Sequence, residues 1–134
     1  MINISMYYPD YDFIFLGDLF PVDSNVNEKV IIGPKLQNLL SKSKHNVVNL
    51  EYPLTKSESK IAKTGPNFKA DPSNVNLLRK FNINICNLAN NHIKDYGIQG
   101  IIDTCSSLES SNIKYFDLMG YNENNLLFID VYGI

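Results

Sequence analysis

Asn90, Asn91 and His92 stand where the largely apolar segment from Ile83 to Ala89 stops, and Asp95 and Gly97 follow within five positions. An amide can offer its oxygen to a cation or cap a backbone N–H, and an imidazole can exchange a proton near neutral pH. The same change from apolar to polar occurs twice earlier. Phe13 to Leu16 gives way to Gly17 and Asp18, and the run that ends at Leu50 gives way to Glu51. Hard oxygens from two carboxylates and an amide, with one imidazole nitrogen, suit Mg²⁺, Mn²⁺, Fe or Zn²⁺, and such an ion would offset the repulsion between the carboxylates. Each residue alone has an ordinary structural use. Asp18 could close a turn, Glu51 could be a solvated loop carboxylate, Asn90 and Asn91 could cap the next helix, and His92 could be a satisfied histidine. Their recurrence at three element ends is the signal.

Those ends matter only if one architecture brings them together. Phe13–Leu16 has the length of a strand buried on both faces. Pro34 at a first helical position precedes Leu36, Leu39 and Leu40, one face of a helix. Asn46–Leu50 reads as a second strand. Asp71 followed by Pro72 opens a helix whose buried stripe is Val75, Leu78 and Phe81. Residues 83–89 form a third strand, and Ile98, Ile101, Ile102, Cys105 and Leu108 mark a third helix. Residues 112–116 and 125–133 supply a fourth and a fifth strand. Strands alternating with helices predict an α/β fold with a largely parallel sheet built from βαβ units. The strand ends then share the sheet edge where open α/β folds place ligands.

The chain has 134 residues, a length suited to one domain. Hydrophobic residues make up 44% and charged residues 19%, a globular balance. A net charge of −2 supplies no general field to attract nucleic acid or an anionic membrane, although Lys56, Lys60 and Lys63 cluster locally. Cys86 and Cys105 read as small buried hydrophobes, and His45 as a surface residue between polar neighbours. The opening residues, with Pro9, Asp10 and Asp12, lack a basic start and a long apolar core, so no signal peptide is expected and a cytoplasmic location follows. No stretch approaches the ~20 apolar residues of a membrane span.

Four segments carry a resemblance. "GDLF" at 17–20, "NLEYPLT" at 49–55, "KTGPNFKADP" at 63–72 and "NLANNHIKDYGIQGIIDT" at 87–104 resemble, in order, the N-terminal half of the CapA family, the poly-γ-glutamate capsule synthesis proteins related to calcineurin-like metallophosphoesterases. The resemblance covers about residues 12–116, and the tail at 117–134 diverges. It implies part of a metallophosphatase sandwich with a two-metal site at the strand ends. By that resemblance Asp18, Glu51 and Asn91 are metal ligands. His92 is the general acid or electrostatic stabiliser near the leaving group, and Asp95 orients its ring. Gly97 permits the tight turn into the third helix.

The family's later histidine motifs have no counterpart, because no histidine follows His92. The tail reads as a truncation or a shifted frame, so at most one ion would be held, weakly, and an uncovered sheet edge and apolar face could support self-association. Two functions are compatible with these residues. One is a metal-dependent phosphoesterase acting on a phosphorylated or surface-polymer substrate. The other is a non-catalytic remnant or assembly module. A nucleotide-binding α/β domain is disfavoured, since no G-x-G-x-x-G or G-K-[ST] loop follows any strand. Because His92 follows its strand instead of lying within it, its replacement by alanine is expected to cost well under ~1 kcal/mol.

Overall fold

The computed structural model describes residues 10–20, 32–116, 127, 129 and 130. Strands β1 (Tyr11–Leu19), β2 (Ser43–Leu50), β3 (Ile85–Asn87) and β4 (Lys114–Phe116) form a parallel sheet in the order β1-β2-β3-β4. Helices α1 (Pro34–Ser41), α2 (Val75–Lys80) and α3 (Gly97–Ser110) fall between successive strands, giving an α/β fold of βαβ units. The strand expected over 125–133 lies outside the described residues except at Leu127, Ile129 and Asp130.

Each crossover moves one strand further in the same direction, and right-handed crossovers of that kind place every helix on one face of the sheet. The core sits there. Leu40 of α1, Leu78 of α2, and Ile101 and Leu108 of α3 are buried with Val48, Leu50, Cys86 and Leu88, and Ile14 and Leu16 of β1 pack against them. Burial pushes the Cys86 thiol up to about 12, so it behaves as the small apolar group expected. No helix among the described residues covers the other face. Phe13, Phe15, Val47, Ile85 and Phe116, with Leu127 and Ile129, line a groove of about 430 Å³. Phe15 is 74% exposed, so β1 is covered on one face only, contrary to the two-sided burial expected from its length. His45 belongs to this second face as well. Its ring is half-buried against Phe13 at 4.9 Å, which corrects its reading as a surface residue, and burial followed by Lys44 and Lys114 lowers its pKa.

Local chemistry explains the helix ends. The Asp71 carboxylate accepts from Ser73 N at 2.9 Å, and Pro72 opens a short 3-10 turn, Pro72–Asn74, that leads into α2. Both α2 and α3 stop at an asparagine in the left-handed region, Asn82 at φ 56° and Asn112 at φ 55°. The next residue then donates back into the helix, Ile83 N to Leu78 O at 2.8 Å and Ile113 N to Leu108 O at 2.9 Å.

The buried stripe of α3 differs from the apolar pattern. Gly100, Ile101, Thr104 and Leu108 face inward, while Ile98 and Ile102 are 57% and 50% exposed. The inward position at 104 is polar but satisfied: the Thr104 hydroxyl donates to Gly100 O at 2.6 Å and accepts from Leu54 N at 2.9 Å. A search for apolar spacing passes over such a residue. No helix among the described residues is long and apolar enough to cross a membrane.

The two faces predict opposite responses to truncation. Leu108→Ala, at a fully buried site, should cost about 2–5 kcal/mol. Phe15→Ser should stay within about 0.5 kcal/mol, as an exposed substitution does. Urea unfolding of the two variants checks both, and a larger loss for Phe15→Ser would place the core on the wrong face.

Candidate functional site

The strands are parallel, so the C-terminal ends of β1, β2 and β3 lie along one sheet edge. Asp18 lies inside β1, one residue before its end, and not in a turn after it. The pairing passes from Phe15↔Val47 to Asp18↔Asn49, so β1 spends one residue more than β2 across this interval. Such a bulge bends a strand and re-aims its side chains. Glu51 directly follows β2, with its N–H bonded to Leu19 O at 3.2 Å.

The residue that joins the two carboxylates is Asn49, which the sequence reading did not single out. Its Nδ2 donates to Asp18 Oδ1 and to Glu51 Oε2, each at 2.7 Å. Its Oδ1 accepts from Asn87 Nδ2 at 3.1 Å and, more weakly, from Asn90 Nδ2 at 3.5 Å. Its advance signals were its place at the head of the "NLEYPLT" segment and its position two residues before Glu51, on the same side of an extended strand.

The two asparagines after β3 have different tasks. Asn90 is a bracket: its Nδ2 donates to Leu50 O at 2.7 Å, and its Oδ1 accepts from His92 N at 3.1 Å and Ile93 N at 2.9 Å. It ties the end of β2 to the turn that carries His92. Asn91 is exposed, and its side chain makes no hydrogen bond among the described residues. The structure thus couples Asp18 and Glu51 through Asn49, and does not join the Asn91 side chain to either. Among the described residues, no three His, Cys, Asp or Glu side chains are grouped to hold a metal ion.

His92 and Asp95 form a pair. His92 Nδ1 lies 2.8 Å from Asp95 Oδ2, and the Asp95 side chain is 0% exposed. Phe68 N donates to the same oxygen at 2.8 Å, while Lys63 Nζ forms an ion pair with Oδ1 and lies 3.2 Å from His92 Nδ1. Burial by itself would raise the Asp95 carboxyl. Lys63, Phe68 N–H and His92 outweigh it and hold the group below its ordinary value. An ionised Asp95 takes its hydrogen bond from Nδ1–H, which leaves Nε2 with the lone pair in the neutral ring. His92 is not a surface histidine: its side chain is 16% exposed and its ring meets Phe68 edge-on at 5.0 Å. The small cost expected for losing it is therefore revised upward.

The glycines of "DYGIQG" have separate reasons. Gly97 sits at φ +61°, which turns the chain into α3, and a Cβ on Gly100 would come within 3.0 Å of Tyr96 Cβ and 3.5 Å of Pro53. The other two motif segments meet each other, since Thr55 N donates to Ala70 O and Ala70 N to Pro53 O, both at 2.9 Å.

The sequence profile of the bacterial capsule synthesis protein PGA_cap family matches residues 14–125. The chain belongs to this family. It is 36% identical over 69 residues to a "probable polyglutamine synthesis accessory protein" of Mycobacterium tuberculosis, covering 51% of this chain and 18% of that protein. It is 33% identical over 73 residues to the PGA biosynthesis protein CapA of Bacillus subtilis, covering 54% of this chain and again 18% of the relative. The match thus spans about a fifth of the length of these curated relatives.

The burial of Asp95 generates two expectations. Asp95→Asn, which strips the ion partner from mostly buried Lys63, should cost about 3–5 kcal/mol, and His92→Ala about 1.5–3 kcal/mol for a hydrogen bond to a charged group. The folded pKa of Asp95 lies below its unfolded value of about 3.9, so its stabilisation is full at neutral pH and is lost as pH falls from that value toward the folded one. Thermal melts from pH 7 to pH 2 should show an acid limb in the wild type that is shallower in Asp95→Asn. Parallel limbs would mean that Asp95 does not carry the linkage.

Proposed function

We propose that this chain serves poly-γ-glutamate capsule synthesis as a CapA-type protein, with a strand-end site that holds a divalent cation for phosphoester chemistry. The observation that supports the site most directly is the single amide of Asn49 bonded to Asp18 and Glu51 together, on the same sheet edge that carries His92. Asp18 Oδ2 and Glu51 Oε1 make no hydrogen bond among the described residues, and neither does the Asn91 side chain. Those oxygens are hard donors suited to Mn²⁺, Mg²⁺, Fe or Zn²⁺. An ion bound there would supply charge against a phosphoryl oxygen and lower the pKa of a coordinated water.

The protein's own part is orientation and proton handling. Asp95 fixes the ring of His92 through Nδ1, so Nε2 is the atom available to the leaving oxygen of a substrate, receiving or giving up a proton there. Asn90 fixes the backbone at His92 relative to the end of β2, which sets the distance between the carboxylates and the imidazole.

A second reading, a non-catalytic assembly module, is favoured by one observation: the described residues offer two carboxylates and one amide, short of the set that holds two ions. Ion stoichiometry separates the two readings. Calorimetric titration of the chain with Mn²⁺ should reveal one weakly bound ion, abolished in Asp18→Ala and in Glu51→Ala. Binding that survives in both variants would locate the ion elsewhere and overturn the site. With one ion and no second ion to share the charge on the leaving oxygen, which His92 alone would meet, turnover of an aryl phosphate by this chain should not exceed background. Metal-dependent turnover lost in both variants would establish the enzyme in place of the module.

A further inference from the structure

We propose that Asn49 is the positioning residue that sets Asp18 and Glu51 for a divalent cation, an assignment that rests on the metal reading above. The direction of its amide is determined by a relay that begins at the backbone. Ala89 N can only donate, and it donates to Asn87 Oδ1 at 3.0 Å, so Asn87 must present Nδ2 to Asn49 Oδ1 at 3.1 Å. Asn90 has the same polarity, because His92 N and Ile93 N occupy its Oδ1 and leave Nδ2 facing Asn49. Asn49 is thereby left with its two N–H groups, and both are spent on carboxylates. A flipped Asn49 amide would set oxygen against oxygen at both carboxylates and N–H against N–H at Asn87 and Asn90.

The choice of atoms matters for the ion. Asn49 takes Oδ1 of Asp18 and Oε2 of Glu51, one oxygen from each carboxylate, and leaves the other oxygen of each without a hydrogen bond among the described residues. A hydrogen-bonded carboxylate with one bound and one open oxygen is the arrangement by which outer residues orient metal ligands. Every side-chain hydrogen bond of Asn49 goes to another side chain of the site, and none goes to the backbone of the sheet. An asparagine kept only to stabilise β2 would have no need of that pattern.

The test uses the full chain with Mn²⁺ and two readouts. In calorimetric titration Asn49→Ala and the nearly isosteric Asn49→Leu should weaken Mn²⁺ binding about 10–100-fold, with the metal-free melting temperature of Asn49→Leu close to wild type. Asn87→Ala, which removes the support of Asn49 Oδ1 together with the acceptor of Ala89 N but leaves Asn49 itself in place, should weaken it less, and it carries the test if the Asn49 variants do not fold. Unchanged affinity in a folded Asn49 or Asn87 variant overturns the proposal. The second readout needs no metal: the Asn49 side-chain amide protons should be protected from exchange and should lose that protection in Asp18→Ala/Glu51→Ala. Protection that persists in the double variant refutes the positioning role by itself. A wild type with that protection but no Mn²⁺ binding would instead defeat the metal reading, and with it the purpose assigned to Asn49.

Discussion

A carboxylate buried away from water must be met by donors, and Asp95 is met from three directions. The 61–68 segment supplies Lys63 Nζ and Phe68 N, and the turn after β3 supplies His92 Nδ1. Its backbone oxygen accepts two more bonds, from Ile61 N at 3.0 Å and Asn67 Nδ2 at 2.9 Å. The cost of an unpaired buried charge is large enough to determine the path of a loop with little secondary structure of its own. Removing the Asp95 side chain would release Lys63 and the Phe68 N–H together, and the imidazole would lose its orientation in the same step.

The second constraint is topological. Strands that step one way across a parallel sheet deliver their C-terminal residues in a row, so chemistry can be encoded in short segments far apart in the chain. Asp18, Glu51 and His92 come from three such segments. The row alone does not align side chains. Alignment comes from the bulge between Phe15 and Asp18 and from the amides of Asn49, Asn87 and Asn90, which transmit direction from backbone N–H groups to carboxylates. The site is thus a hydrogen-bonded edge in which asparagine does most of the connecting.

Among the described residues, that same topology leaves one sheet face without helices. Phe13, Phe15, Val47, Ile85 and Phe116 form an apolar surface opposite the core, with His45 beside Phe13. Capsule synthesis relatives several times longer than the matched segment have more chain with which to cover a sheet. The segments that carry the family resemblance gather instead at and after the C-terminal ends of β1, β2 and β3, where resemblance and local geometry concern the same residues.

The sequence alone determined the element types, because helices and strands impose different apolar periods and because Asp71, Pro72 and Pro34 carry direct capping chemistry. It also determined that the sheet would be largely parallel and which ends would share an edge, and motif resemblance named Asp18, Glu51, Asn91, His92 and Asp95. Tertiary structure decided what periodicity cannot encode. Thr104 faces inward and Ile98 outward because a hydroxyl can satisfy Leu54 N and Gly100 O at once. Phe15 lies open because burial depends on what covers a strand, which the strand's own residues do not state. Asn49 became the link between the carboxylates, and Lys63 the partner of Asp95, because both act across 30 residues or so of chain. Contacts at such separations follow from packing, and no local pattern in the chain announces them.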